Sequence, residues 1–425
     1  MRILIINGHV IDPVAGMDGK FDILVEDGRI AGITPPGKAG SKADHVMDAG
    51  GMHVLPGLVD LHVHLREPGF THKETIKTGT EAAVRGGFTS VCAMPNTSPV
   101  NDSPGTTDYM LRKAASEGLC DVYPVGAITK GQKGEELAPL GLMYEEGCVA
   151  FSDDGSPVMN PLIMRRALEY SRAFGFPLIS HCEDLDLADG GVMNEGLLSF
   201  SMGLKGIPNA SEEIMVHRDI TLAELTGGRL HLAHISSAGS VRIIRQAKER
   251  GVNITAETCP HYFTLTEEAT ADFNTAAKVN PPLRTQADVD AIRAGIKDGT
   301  IDIIATDHAP HHKNEKMREF DIAPPGISGL ETALALSLGL VRDGVIDLGR
   351  LIAMMSSAPA AIAGLDKGSL REGASADLVV VDLDREFIVE PEKFASKGMN
   401  TPFAGQRLKG RPVATVAGGR LYEWK

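Results

Sequence analysis

No C-x-x-C pair, no G-x-S-x-G turn and no apolar run near the ~20 residues of a membrane span occur in this chain. Each absence removes a class. The five cysteines (Cys92, Cys120, Cys148, Cys182 and Cys259) are scattered singly and odd in number. That pattern excludes a disulfide framework and reads as reduced, buried thiols of a cytoplasmic protein. The opening MRILIINGHVIDP is a short alternating strand, not the apolar core of a secretion signal. No serine or cysteine nucleophile signature is present. A basic excess is also missing: 42 Lys and Arg against 56 Asp and Glu give a formal net charge of -14. A nucleic-acid partner needs a basic face, so none is expected, and neither is a membrane. An anionic small substrate stays open, because metals and a few Arg or His can reverse the field inside a cleft. No repeat of fixed period and no low-complexity segment interrupts the chain.

What is there is the profile of a globular enzyme: 425 residues, 43% hydrophobic and 23% charged. Residues 1–55 read as short strands (ILIING, DILVEDGRIAGI, HVLPG) separated by the Gly/Pro turns DPVAG and PPGKAGS. The segment GITPPGKA, residues 32–39, echoes a phosphate loop but lacks a Ser or Thr after Lys38 and carries two prolines, so it is set aside. Eight apolar strands then follow at 58–63, 88–94, 122–127, 148–152, 177–182, 230–235, 253–258 and 301–306. Helical spacing lies between them at 73–85, 161–174, 211–226, 238–250 and 328–342. Strands alternating with amphipathic helices signify parallel βαβ units. Eight of them predict a (β/α)8 TIM-like barrel over 56–360. The tail, 361–425, returns to strands (SADLVVVDLD, REFIVEP, RPVATVAGG, RLYEW). It is expected to join residues 1–55 in a small β-sandwich, since chain ends often lie close together.

The chemistry falls on this map at strand ends. His62 and His64 close the first strand, Asn96 follows the second, and Asp154 follows the fourth. His181, His234 and Asp307 end the fifth, sixth and eighth. Barrel active sites are built at those ends. His-x-His on a strand puts both imidazoles on one face, because strands have period two. Imidazole nitrogens and carboxylate oxygens are zinc ligands, so the set points to metal-assisted hydrolysis or its reversal. Each member has a plainer reading. A buried histidine is often a satisfied core residue, His231 competes with His234, and Asp153 competes with Asp154 in a turn-like FSDDG. Local reading does not decide between Asp153 and Asp154.

DLHVHLREPG at 60–69 and ATDHAPHHKNEK at 305–316 resemble the two signature segments of the dihydroorotases, in the bacterial class I branch of the amidohydrolase superfamily. The likeness runs on through MPNTSPV, FSDDG, SHCED, HLAHIS, ETCPHY, NPPLR and ADLVVVD. The resemblance implies one zinc on His62, His64 and Asp307, a second on His181 and His234, and Asp154 bridging the two. One or two Zn2+ are implied, two being favoured. An aspartate stands where related cyclic amidases carry a carboxylated lysine. Implied substrate contacts are His64, Arg66, Asn96, Asn280, His311 and the backbone of Pro325 and Gly326, where the family often has Phe-Gly. The implied reaction interconverts N-carbamoyl-L-aspartate and L-dihydroorotate plus water in pyrimidine synthesis, with Asp307 as general acid/base. The loop from His308 to Gly326 is expected to act as a lid. Implied partners are the small-molecule substrate, a second copy in a homodimer, and aspartate transcarbamoylase. The rival expectations are a hydantoinase- or allantoinase-type cyclic amidase, and a non-catalytic scaffold for aspartate transcarbamoylase.

Overall fold

The computed structural model describes residues 1–38 and 43–424. The turn expected over 35–41, and the last residue of the 32–39 segment, fall partly outside the described residues.

Eight parallel strands form the centre: Leu58–Val63, Phe88–Ala93, Asp121–Gly126, Ala150–Ser152, Leu178–Ser180, Leu230–Leu232, Ile254–Thr258 and Ile303–Ile304. Each pairs with its sequence neighbours in unbroken order. The first two are buried along their whole length, as continuous apolar runs must be when helices cover one face and the barrel interior the other. The helices start where the sequence supplies caps. Thr75 forms a capping box for Ile76–Arg85, Asn160 caps Pro161–Ser171, and Ser237 caps Ala238–Glu249. They pack on one large apolar cluster that includes Phe88, Phe151, Ile244 and Ile292.

The ring closes between the first and last strands by side chains as well as backbone. His64 N donates to His308 O at 2.8 Å, and Val63 bridges His308 in parallel. Asp60 accepts from Thr306 N at 3.1 Å and Thr306 Oγ1 at 2.6 Å. Burial pushes the Asp60 carboxyl up to about 7.

The flanking segments meet in a second sheet of eight strands, around a core of its own that includes Ile3, Ile23, Val54 and Val380. Its join is the antiparallel pairing of Leu378–Val381 with His53–Pro56. The two tail strands expected from SADLVVVDLD and REFIVEP are one strand, Leu378–Ile388, with irregular register near Asp382. The domain expected as a sandwich is thus a single hydrogen-bonded sheet that folds over its own core.

Candidate active site

The backbone at the C-terminal rim of the barrel is bent where the chemistry sits. Arg66, His234 and Asp307 have φ of 59°, 35° and 45°, a region that a few per cent of non-glycine residues enter, with Asn, Asp and His enriched among them. Such strain persists only where surrounding structure enforces it, and it collects at functional sites.

The strand ends bring six side chains together: His62, His64, Asp154, His181, His234 and Asp307, all buried. Asp154 is the hub. Its Oδ1 lies 3.4 Å from His62 Nε2, 3.6 Å from His181 Nδ1 and 3.4 Å from His234 Nε2. Its Oδ2 lies 3.5 Å from His64 Nε2. Asp307 Oδ1 is 3.1 Å from His64 Nε2 and 3.6 Å from His62 Nε2. Two triads, His62–His64–Asp154 and Asp154–His181–His234, each present ligand atoms within 4.8 Å of one another.

Do these residues fit a metal? Bonds of about 2.0–2.2 Å to a tetrahedral ion place neighbouring ligand atoms about 3.3–3.6 Å apart, and most of the separations above fall there. His62 Nε2 and Asp154 Oδ1 are buried without a hydrogen-bond partner among the described residues, a costly state unless an ion fills it. His181 Nδ1 and His234 Nε2 lie 2.9 Å apart, and both reach Asp154 Oδ1. Electrostatics agree. Burial resists ionisation of Asp154 and Asp307, yet the surrounding imidazoles hold both carboxyls below their usual range. The donor set fits a divalent metal.

Three of the four imidazoles are turned by a partner on the far side, while His234 Nδ1 has none among the described residues. His62 Nδ1 contacts Glu257 Oε1 at 2.7 Å, His64 Nδ1 contacts Asn96 Oδ1 at 2.8 Å, and His181 Nε2 contacts Glu183 Oε2 at 3.1 Å. Such partners fix tautomer and ring orientation in metal sites. Glu257 and Glu183 are absent from the residues the sequence points to. Glu183 had a signal: it follows His181 by two residues, hence the same face of an extended segment.

The two sequence ambiguities resolve by position. Asp153 faces away from the cluster and accepts from Ile128 N at 2.8 Å, Thr129 N at 3.1 Å and the Thr129 hydroxyl. Asp154 faces inward. His231 is spent on Thr255 and Glu257, at 2.8 and 3.0 Å, while His234 joins the cluster.

Beside the cluster lies a cavity of about 240 Å3. His64, Arg66, Asn96, Asn280, His311, Pro325 and Gly326 all line it, with Gly155, Val279 and Ala309, which the sequence did not flag. Burial lowers the Arg66 guanidinium to about 10, so it stays charged at neutral pH. Its Nε donates to Pro310 O at 3.3 Å. His311 Nε2 donates to Pro325 O at 2.8 Å and its Nδ1 accepts from Lys73 at 3.3 Å. Burial, then the charges of Arg66, Lys73 and Lys316, hold His311 neutral.

The segment expected to close as a lid already lies against this cavity. Lys316 Nζ donates to the carbonyls of Pro324, Gly326 and Lys278 at 2.9, 3.2 and 3.3 Å. Asn400 accepts from His311 N and donates to Gly326 O, at 3.0 and 2.9 Å.

Comparison with known proteins agrees with this geometry. The Dihydro-orotase-like family matches residues 51–240, and the Amidohydrolase family matches residues 325–422. A dihydroorotase of Pelobacter propionicus is 54% identical over 425 residues, 99% of both chains. One of Pelotomaculum thermopropionicum is 55% identical over 426 residues, covering 99% of this chain and 98% of its own. Among solved structures, the L-hydantoinase (dihydropyrimidinase) of Arthrobacter aurescens superposes with TM-score 0.89 at 26% identity, covering 100% of this chain and 96% of that one. A D-hydantoinase from Thermus sp. gives 0.82 at 26%, covering 99% and 94%. Likeness over the whole length, on a barrel that gathers its imidazoles and carboxylates at one rim, places this chain in the dihydroorotase family of the amidohydrolases.

Proposed function

We propose that the chain is a zinc-dependent cyclic amide hydrolase that interconverts N-carbamoyl-L-aspartate and L-dihydroorotate plus water, a step of pyrimidine biosynthesis in the cytoplasm. One observation carries the reading: a single small cavity is lined by five of the six metal-type side chains (His64, Asp154, His181, His234 and Asp307) together with Arg66. Full-length relatives named dihydroorotase support it. The five free cysteines suit a reducing compartment.

Two zinc ions are the favoured content, one on His62, His64 and Asp307, the other on His181 and His234, with Asp154 shared between them. An ion so held would lower the pKa of a bound water towards about 7 and would polarise a carbonyl oxygen. The chain's own groups do the rest. Arg66 grips the substrate carboxylate with its forked donors and Asn96 adds a neutral one. Asn280, His311 and the backbone of Pro325 and Gly326 bound the remaining walls. Asp307 makes its ion-pair contacts through Oδ1, which leaves Oδ2 for proton transfer. There it takes a proton from the attacking water as the carbon–oxygen bond forms. It returns that proton to the nitrogen as the ring carbon–nitrogen bond breaks. Ring closure runs the same steps in reverse. A dianionic substrate enters an acidic protein because Arg66 and the metals dominate locally.

A homodimer is part of the proposal, with aspartate transcarbamoylase as a further candidate partner. Leu197 and Phe200, 88% and 87% exposed on one short helix, offer such a surface. The hydantoinase structures favour a second reading, a cyclic amidase for rings without a carboxylate.

Turnover decides. Zinc-loaded protein is expected to hydrolyse dihydroorotate, followed by ultraviolet absorbance, far faster than hydantoin or allantoin. The reverse order would replace the proposal by the second reading. Asp307→Ala is expected to abolish turnover, and near-normal rates would refute the proton role of Asp307.

A further inference from the structure

Glu183 stands two residues beyond His181, is 8% exposed, and has no part in the reaction as described above. Its Oε2 is shared. His181 Nε2 lies 3.1 Å from it, and Asn280 Nδ2 lies 3.0 Å from the same atom. An ionised carboxylate only accepts, so both neighbours must donate. Two orientations follow. His181 carries its proton on Nε2, and the Nδ1 lone pair is turned to Asp154 and His234. Asn280 gives an amide N–H to Glu183, and its Oδ1 accepts from no group among the described residues, which leaves that oxygen for the cavity the residue lines.

Asn96 is set the opposite way. Its Oδ1 is taken by His64 Nδ1 at 2.8 Å, and its Nδ2 is the atom that approaches Gly155, another residue of the cavity wall. The two ends of an amide are told apart by such networks. One asparagine therefore offers donors to the cavity, and the other offers an acceptor.

We infer that Glu183 is a positioning residue that couples the metal cluster to substrate orientation: one carboxylate oxygen fixes the His181 tautomer and makes Asn280 an acceptor for a substrate N–H. The inference rests on the proposed cyclic amide chemistry. Such a substrate, with a carboxylate at one end and N–H at the other, is read in a single direction. Replacing an outer partner of this kind typically costs about 10- to 100-fold in metal affinity or activity.

The test uses zinc-loaded protein and two readouts. Zinc retained during dialysis against a chelator is measured by mass spectrometry; KM and kcat are measured with dihydroorotate. Glu183→Ala is expected to lose zinc at least about tenfold faster and to raise KM about tenfold. Asn280→Ala is expected to raise KM similarly with wild-type zinc retention. The double variant is expected to show a KM no worse than the worse single, because both changes remove one contact. Glu183→Gln keeps the volume, guards against a folding defect, and is expected to shed zinc several-fold faster than wild type. Wild-type zinc retention in both Glu183 variants, an unchanged KM in Asn280→Ala, or multiplying KM effects in the double variant would each overturn the inference. Wild-type protein that ignores dihydroorotate would instead sink the proposed function. The zinc readout on Glu183 would still stand on its own.

Discussion

Arg66 is the residue on which substrate choice turns. Its φ of 59° and its bond to Pro310 O aim the guanidinium into the cavity. A planar fork can hold both oxygens of a carboxylate, whereas an ammonium is a point charge on a flexible stem. Arg66→Lys is therefore expected to raise KM for dihydroorotate at least about tenfold, while slow turnover of hydantoin is unchanged. Equal losses on both substrates would mean that Arg66 supports the wall and not the carboxylate. Gly326 makes a second such test. Its φ is 145°, and a Cβ there would meet Ala309 O at 2.6 Å and His311 Cδ2 at 3.0 Å. Gly326→Ala is expected to displace His311 and raise KM with zinc content unchanged; altered zinc content would place the damage in the metal cluster instead. At this scale the sequence was readable where spacing carries direction: His62 and His64 share a face because one residue separates them. It was not readable for Asp153 and Asp154. Their roles are set by Ile128 and Thr129 in the loop after the third barrel strand, which no local pattern encodes. Glu257 was invisible for the same reason: its partners are His231 and the backbone of His234, on and just after the neighbouring strand, and His62 on the first.

Among elements, the turn that leads into the helix Ala333–Arg342 is tied to the segment after the tail strand by one half-buried acid. Glu331 Oε1 accepts from Ala395 N at 2.8 Å and Ser396 N at 3.3 Å. Burial pushes its carboxyl up from 4.5 to about 7. A raised pKa means that the folded state binds the proton more tightly. The stabilisation is full below about pH 4.5 and is lost as pH rises through about 7. Glu331→Gln keeps the acceptor without the charge. It is expected to match wild type at pH 5 and to exceed it at pH 8 by up to about 3 kcal/mol in urea unfolding. An equal difference at both pH values would refute the argument. The elements themselves were largely legible. Eight apolar runs between amphipathic stretches have few architectures open to them, and all eight strands lie within a few residues of their expected bounds. The region 185–207 was not legible. Its helices, Leu185–Ala188 and Leu197–Met202, span under two turns each, too short to show a period.

At the scale of the molecule, an acidic surface carries an uncovered apolar pair. Leu197 and Phe200 are 88% and 87% exposed. If that helix forms the interface between copies, Leu197→Asp with Phe200→Asp is expected to halve the mass seen by light scattering while zinc retention is unchanged. An unchanged mass would move the interface elsewhere. The acidic charge gives no reason to expect a nucleic-acid partner, but no composition tells which face would meet a second copy.

The pairing of Leu378–Val381 with His53–Pro56 sets an order of events during synthesis. The run that feeds the first barrel strand pairs on one edge with His9 and Val10, made before it, but meets its partner on the other edge only after the ribosome has made every later barrel strand. A nascent chain thus carries one open edge beside its opening strand for most of its translation, until the tail emerges to cover it.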